Sequence, residues 1–407
     1  MKASWVAIAL TMSCMSGCID DTDGATSALN TSRPVDADML ILRSDYSSSS
    51  LSWANSTRAQ LISEQFFHSG TVVTSTGLGL SGDVVLPSAG TSKLGSAVLD
   101  RTQSLLTWVG GPSNKPQQWV LSDGFSSNPQ DVVALPSGRV AVFRAQTDPT
   151  PTDSALAGGD DVLIFEANGE VAGRVALSKH STLAGGFAWP GRGCLTEQHL
   201  WAPLASLSKD FTEVGTGKVV SISLGTLTVS STHNVPSLRN CTNLSASADG
   251  SVLGVCSGSF RATVEEQRAQ SGVFRIDSNQ PTGTDATLLV RGSDWKSGGG
   301  VGFEIVAASR TQGWFVRFGQ IGAGDFVDGI YRFEQGQQPS LVYQAAGAFR
   351  IGQMLLDTED QLWFTEQKRK DADILAITVT GATSEVVAQI ATPPGALPAL
   401  GIVRVSP

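Results

Sequence analysis

The sequence predicts an all-β fold, a seven-bladed β-propeller closed by pairing of its C-terminal strand with the N-terminal blade. Three observations lead there. From Ala37 onward the chain shows short β-rich runs punctuated by Gly, Ser, Asp and Pro, with no long amphipathic helix. One order of four such runs returns with a period of roughly 50 residues, the size of a propeller blade. Three runs at the start, Met39 to Ser44, Ser50 to Ala54 and Gln60 to Phe67, lack a first member, while Ala399 to Val405 is a solitary run after the last complete unit. Joined, the two ends make one blade and hide edges that would otherwise pair with other chains.

Composition supports a folded domain and narrows its partners. With 41% hydrophobic residues in 407, the chain has material for a large core. A net charge of -9 counts against nucleic acid, which needs a basic face to displace counterions from phosphates.

Residues 1–17 read as an export signal. Lys2 precedes a mostly apolar run from Trp5 to Met15, too short for a permanent span of about 20 residues. Ser16 and Gly17 before Cys18 resemble the bacterial lipobox, with Met15 where Leu is usual. That resemblance implies acylation of the Cys18 thiol and a mature N-terminus at Cys18; an ordinary secretory signal is the alternative. Acyl chains contribute about 0.8 kcal/mol per buried methylene, enough for two or three of them to hold a protein stably on a membrane. The expected address is the bacterial cell envelope, lipid-anchored and facing the periplasm or exterior. Residues 18–36 read as a flexible tether, and Asp20 to Gly24 within it lacks the downstream Glu of a calcium loop.

Residues 37–407 form the propeller domain. Its clearest unit is Asp131 to Leu135, a Pro136-Ser137-Gly138 turn, Arg139 to Arg144, Asp161 to Phe165 and Gly173 to Leu177. Other units begin near Asp83, Phe187, Thr242, Phe303 and Gly352. The phrase from Asn128 to Arg139, NPQDVVALPSGR, resembles bacterial seven-bladed propellers of the YVTN and NHL kind, including lipoproteins of this fold. Asp360 to Glu366, DQLWFTE, is similar to a blade motif of streptogramin lyases. These phrases imply blade packing and carry no activity by themselves.

Cys194, Cys241 and Cys256 remain after the signal. Reading Ser247 to Gly250 as a four-residue hairpin tip sets Cys241 opposite Cys256 on adjacent strands, a spacing compatible with a disulfide in an exported protein. Cys194 is then a packed free thiol. No C-x-x-C or His spacing assigns a metal, and the sequence identifies no cofactor. His68, His180, His199 and His233 all fall away from the inner strands, so no catalytic residue is assigned.

The irregular segments lie between second and third strands: Gln146 to Asp160, Ser206 to Gly217, Ser259 to Ser271, Gln320 to Asp328 and Lys368 to Asp373. In a propeller these emerge on one face together with the approaches to the inner strands, and loops on a rigid scaffold carry recognition. Asp131, Trp295, Glu304 and Phe326 are the candidate binding residues there. The expected function is a tethered, monomeric binding or scaffold module for a protein or glycan, with a lyase-like or lactonase-like enzyme at the channel mouth as the alternative.

Overall fold

The computed structural model describes residues 30–405, apart from 74–75, 88, 151, 320–325, 368, 370 and 382. The expected signal, Cys18 and most of the expected tether lie outside the described residues.

Seven antiparallel sheets stand around an axis. Blade 1 is composite: Ala399–Arg404 is innermost, followed outward by Met39–Ser44, Ser49–Asn55 and Gln60–His68. Met39 pairs with Arg404 and Leu42 with Gly401, so the chain's two ends close the ring as expected. The inner strands of blades 2 to 7 are Val84–Val85, Pro129–Ala134, Cys194–Leu195, Cys241–Ala246, Val301–Ser309 and Ile351–Leu356.

The core is divided among the contacts between neighbouring blades. Seven apolar clusters occupy them, and alternate residues of one strand serve different clusters. Leu40 and Leu42 pack toward blade 2, whereas Met39 and Ile41 pack toward blade 7 against Trp363 and Ile374. Both faces of such a strand are therefore buried, which is why MLIL reads as a continuous apolar run instead of an alternation.

Buried carboxylates stitch blades together where the ladders end. Asp160 accepts the Ala188 and Trp189 N–H groups, each at 2.8 Å. Asp328 accepts Phe349, Arg350 and Ile351 N–H at 2.7 to 3.1 Å. Asp373 of blade 7 accepts Ala399 N–H at 3.0 Å and pairs with Arg43 of blade 1, Nη2 to Oδ1 being 3.0 Å.

The structure adjusts three expectations. Blade 4 does not begin its ladder at Phe187; residues 187–193 make only isolated bridges before Cys194. Gly185, Gly186, Pro190, Gly191 and Gly193 interrupt regular pairing there. The segment between the second and third strands of blade 5 contains a helix, Val264–Ala269, closed by a Thr263 and Glu266 capping box. The Cys241–Cys256 disulfide is present and Cys194 is free and buried, but the hairpin register differs. Ala246 pairs with Val252 and Ser247 N–H bonds Ser251 O, so the turn is longer than a four-residue tip by one residue. A bulge at Thr242 restores the lost register and returns Cys241 to Cys256.

Candidate functional site

Antiparallel connectivity gives the ring two unlike faces. Tight hairpins between first and second strands, and between third and fourth, lie on one. The opposite loop face carries the connections between second and third strands and the approaches to each inner strand. On that loop face the central channel opens into a cavity of about 490 Å³.

One wall is aromatic. Phe260 comes from the blade 5 loop, Phe303 and Phe318 from blade 6, and Phe349 from the approach to blade 7. Phe303 meets Phe318 edge-on at 5.0 Å, Phe260 lies 5.5 Å from Phe303, and Phe318 stacks on Phe349 at 4.8 Å. The Asn243 side-chain amide holds the Phe303 carbonyl at 2.9 Å, so the neighbouring blade fixes this wall. Trp189, from the approach to blade 4, also lines the cavity and packs edge-on against Phe211 at 5.3 Å.

The polar part centres on Arg192 and Glu304, whose Nη1 and Oε1 are 2.8 Å apart. Arg192 reaches the channel because residues 191–192 run beside the Thr242 bulge: Arg192 N–H bonds Thr242 O at 2.7 Å and Leu244 N–H bonds Arg192 O at 3.0 Å. Gly191 permits that approach, since a Cβ there would sit 2.3 Å from Thr242 O. Burial holds the Glu304 carboxyl above the usual carboxylate range, against the opposing pull of Arg192 and the Met354 N–H. Buried Thr242 Oγ1 has no hydrogen-bond partner among the described residues.

Of the four candidate residues, Glu304 lies in this cavity. Trp295 and Phe326 belong to a neighbouring site around Arg317. The guanidinium lies 4.7 Å from the Trp295 ring, and Phe326 lines an adjoining hollow of about 140 Å³. Asp131 is buried on the inner strand of blade 3 and is not among the cavity's lining residues; its Oδ2 accepts Gly193 N–H at 2.8 Å. Burial raises its pKa to about 7, opposed by Arg192 and by the Gly193 and Val132 N–H groups. Among the described residues no group of three or more His, Cys, Asp or Glu side chains is placed to hold a metal ion.

Sequence reasoning passed over Arg192 and the phenylalanine wall. The Pro190-Gly191-Arg192-Gly193 run was a legible sign of close backbone approach, but nothing local joins Arg192 to Glu304.

No family model and no curated protein matches this chain. Solved structures do. A protein from Lactobacillus plantarum aligns at TM-score 0.54 and 11% identity, covering 91% of this chain and 99% of that one. A functionally unknown protein from Desulfotomaculum acetoxidans DSM 771 aligns at TM-score 0.51 and 13% identity, again over 91% of this chain and 99% of that one. A streptogramin B lyase aligns at TM-score 0.49 and 11% identity over 83% of this chain and 92% of the lyase, and supplies no site residue here. At such identities the likeness is one of fold, and the fold of this chain is a seven-bladed β-propeller closed through blade 1.

Proposed function

We propose that this chain is a binding or scaffold module of the bacterial cell envelope, tethered through Cys18, that receives a glycan or protein ligand at the loop-face mouth of its channel. One observation carries the reading. Tyr46, Phe211, Phe260, Phe303 and Phe349, the exposed aromatic side chains among the described residues, all lie on the loop face. Monomeric soluble proteins rarely leave such apolar surface gathered without a use.

The path of the N-terminal segment is compatible with a tether. Thr31 is buried on the hairpin face, where its N–H bonds Asn114 O and its carbonyl accepts Gly110 N–H, both at 2.9 Å. A membrane anchor preceding Thr31 would leave the cavity facing away from the bilayer.

Cys18→Ala should move the protein from the membrane to the soluble fraction. In tethered protein, energy transfer to a membrane dye should be stronger from a label at Ser113→Cys than from one at Tyr46→Cys. Unchanged fractionation removes the lipid anchor from this reading, and the reverse labelling order removes the orientation. Binding at the mouth is tested by comparing envelope components retained by the wild type and by a Phe260→Ala, Phe303→Ala double variant; identical retention would sink that part. A lyase or lactonase would use the same mouth, and turnover that depends on Glu304 would establish it in place of simple binding.

A further inference from the structure

The mouth cavity combines two kinds of surface that few ligands satisfy together. Phe260 is 48% exposed and Phe303 and Phe349 are each 40% exposed, so the apolar wall is accessible from the channel. Beside it, Arg192 and Glu304 form a donor and an acceptor with no net charge, and Thr242 Oγ1 adds a buried hydroxyl whose partner is missing among the described residues.

These features select by elimination. A simple anion or cation would have to break the Arg192 and Glu304 pair and leave one charge uncompensated. A wholly apolar ligand would cover the phenylalanines but strip water from the polar atoms beside them without replacing its hydrogen bonds. A ligand is needed that has an apolar face for the rings and neutral groups at its edge that both donate and accept. A pyranose ring has that form: its C–H groups line a face, and each hydroxyl is a donor and an acceptor. A cavity of about 490 Å³ falls within the usual range of ligand pockets, about 300 to 1,000 Å³, and has room for the end of a chain.

Building on the reading of the mouth as the ligand site, we propose that the cavity binds the terminal neutral pyranose of a glycan, its C–H face on Phe303 and Phe260 and adjacent hydroxyls on Arg192 and Glu304. One hydroxyl donates to the Glu304 carboxylate and its neighbour accepts from the Arg192 guanidinium, so the ion pair is bridged without being broken.

The test uses the full-length protein. A printed array of neutral oligosaccharides is screened, and cellotriose, maltotriose and chitotriose are titrated by calorimetry, with trigalacturonate as the charged control. At least one neutral sugar should bind, and more tightly than trigalacturonate. Phe303→Ala and Glu304→Gln should each weaken that binding at least tenfold. Phe260→Ala, on a loop outside the ladders, serves as the second aromatic variant should Phe303→Ala fail to fold, and melting curves establish which variants are folded. No binding by any neutral sugar, or binding indifferent to both an aromatic and the Glu304 substitution, overturns the proposal. A phage-displayed heptapeptide library separates the two levels. Peptide binding that depends on the phenylalanines, without sugar binding, overturns the glycan assignment and keeps the mouth as the ligand site. If neither class depends on these residues, both readings fall.

Discussion

Arg192 and Glu304 are 112 residues apart in sequence and meet at 2.8 Å beside the inner strand of blade 5. Their side chains are only 21% and 13% exposed, so removal of one partner strands the other in poorly solvated surroundings. Arg192→Leu should cost about 1 to 3 kcal/mol near neutral pH, and Glu304→Gln, which keeps a neutral acceptor, less than that. The Arg192→Leu deficit should shrink at pH 5, where Glu304, already held above the usual carboxylate range, takes up its proton more readily. Urea midpoints at pH 5 and pH 8 measure both effects; equal deficits at the two pH values would contradict them.

Ring closure depends on a strand and a buried ion pair. Deleting residues from Leu397 onward removes the inner strand of blade 1 and opens the Met39–Ser44 edge. No cooperative unfolding transition should remain. Asp373→Ala leaves the fully buried Arg43 guanidinium without its counter-charge and should cost about 3 to 5 kcal/mol, read from chemical denaturation.

The disulfide joins residues separated by 15 positions, a loop for which chain-entropy arguments give about 3 kcal/mol. A Cys241→Ser, Cys256→Ser double variant should lose stability of that order. Non-reducing peptide mapping of the wild type should recover the Cys241–Cys256 link and an unmodified Cys194. Burial raises the Cys194 thiol pKa, so alkylation should require unfolding.

Asp131 supplies a pH dependence. The folded protein holds its proton up to about pH 7, while an unfolded aspartate releases it near its ordinary value of 3.8. Stability from this group is therefore complete below pH 4 and is lost as pH rises toward 7, a decline on the order of 3 kcal/mol. Asp131→Asn keeps an acceptor for Gly193 N–H without an ionisable group, so its stability should fall less over that interval. Denaturation midpoints from pH 4 to pH 8 would show parallel slopes if Asp131 made no such contribution.

Local pattern alone carried the blade count, the composite blade 1 and the cysteine pairing, because strand alternation, turn residues and a repeat of fixed length are all short-range properties. Even so, Cys241 and Cys256 meet by way of a longer turn and a compensating bulge at Thr242, since a register slip in one place can be cancelled in another without changing which residues are opposed. The short helix at Val264–Ala269 is not read from the sequence, which leaves Ser259 to Ser271 as an irregular segment, although the Thr263 and Glu266 spacing of its capping box is a local sign of it. Glu304 could be placed on an inner strand, but its partner could not, because strand periodicity says nothing about which side chains converge across a channel. Only the closed ring brings the Arg192 loop of blade 4, the Thr242 bulge of blade 5 and the phenylalanines of blades 5 to 7 to one mouth, and sends Asp131 into the contact between blades 3 and 4 instead. That placement is decided by the rotation from blade to blade, a property of the assembled ring that no single segment contains.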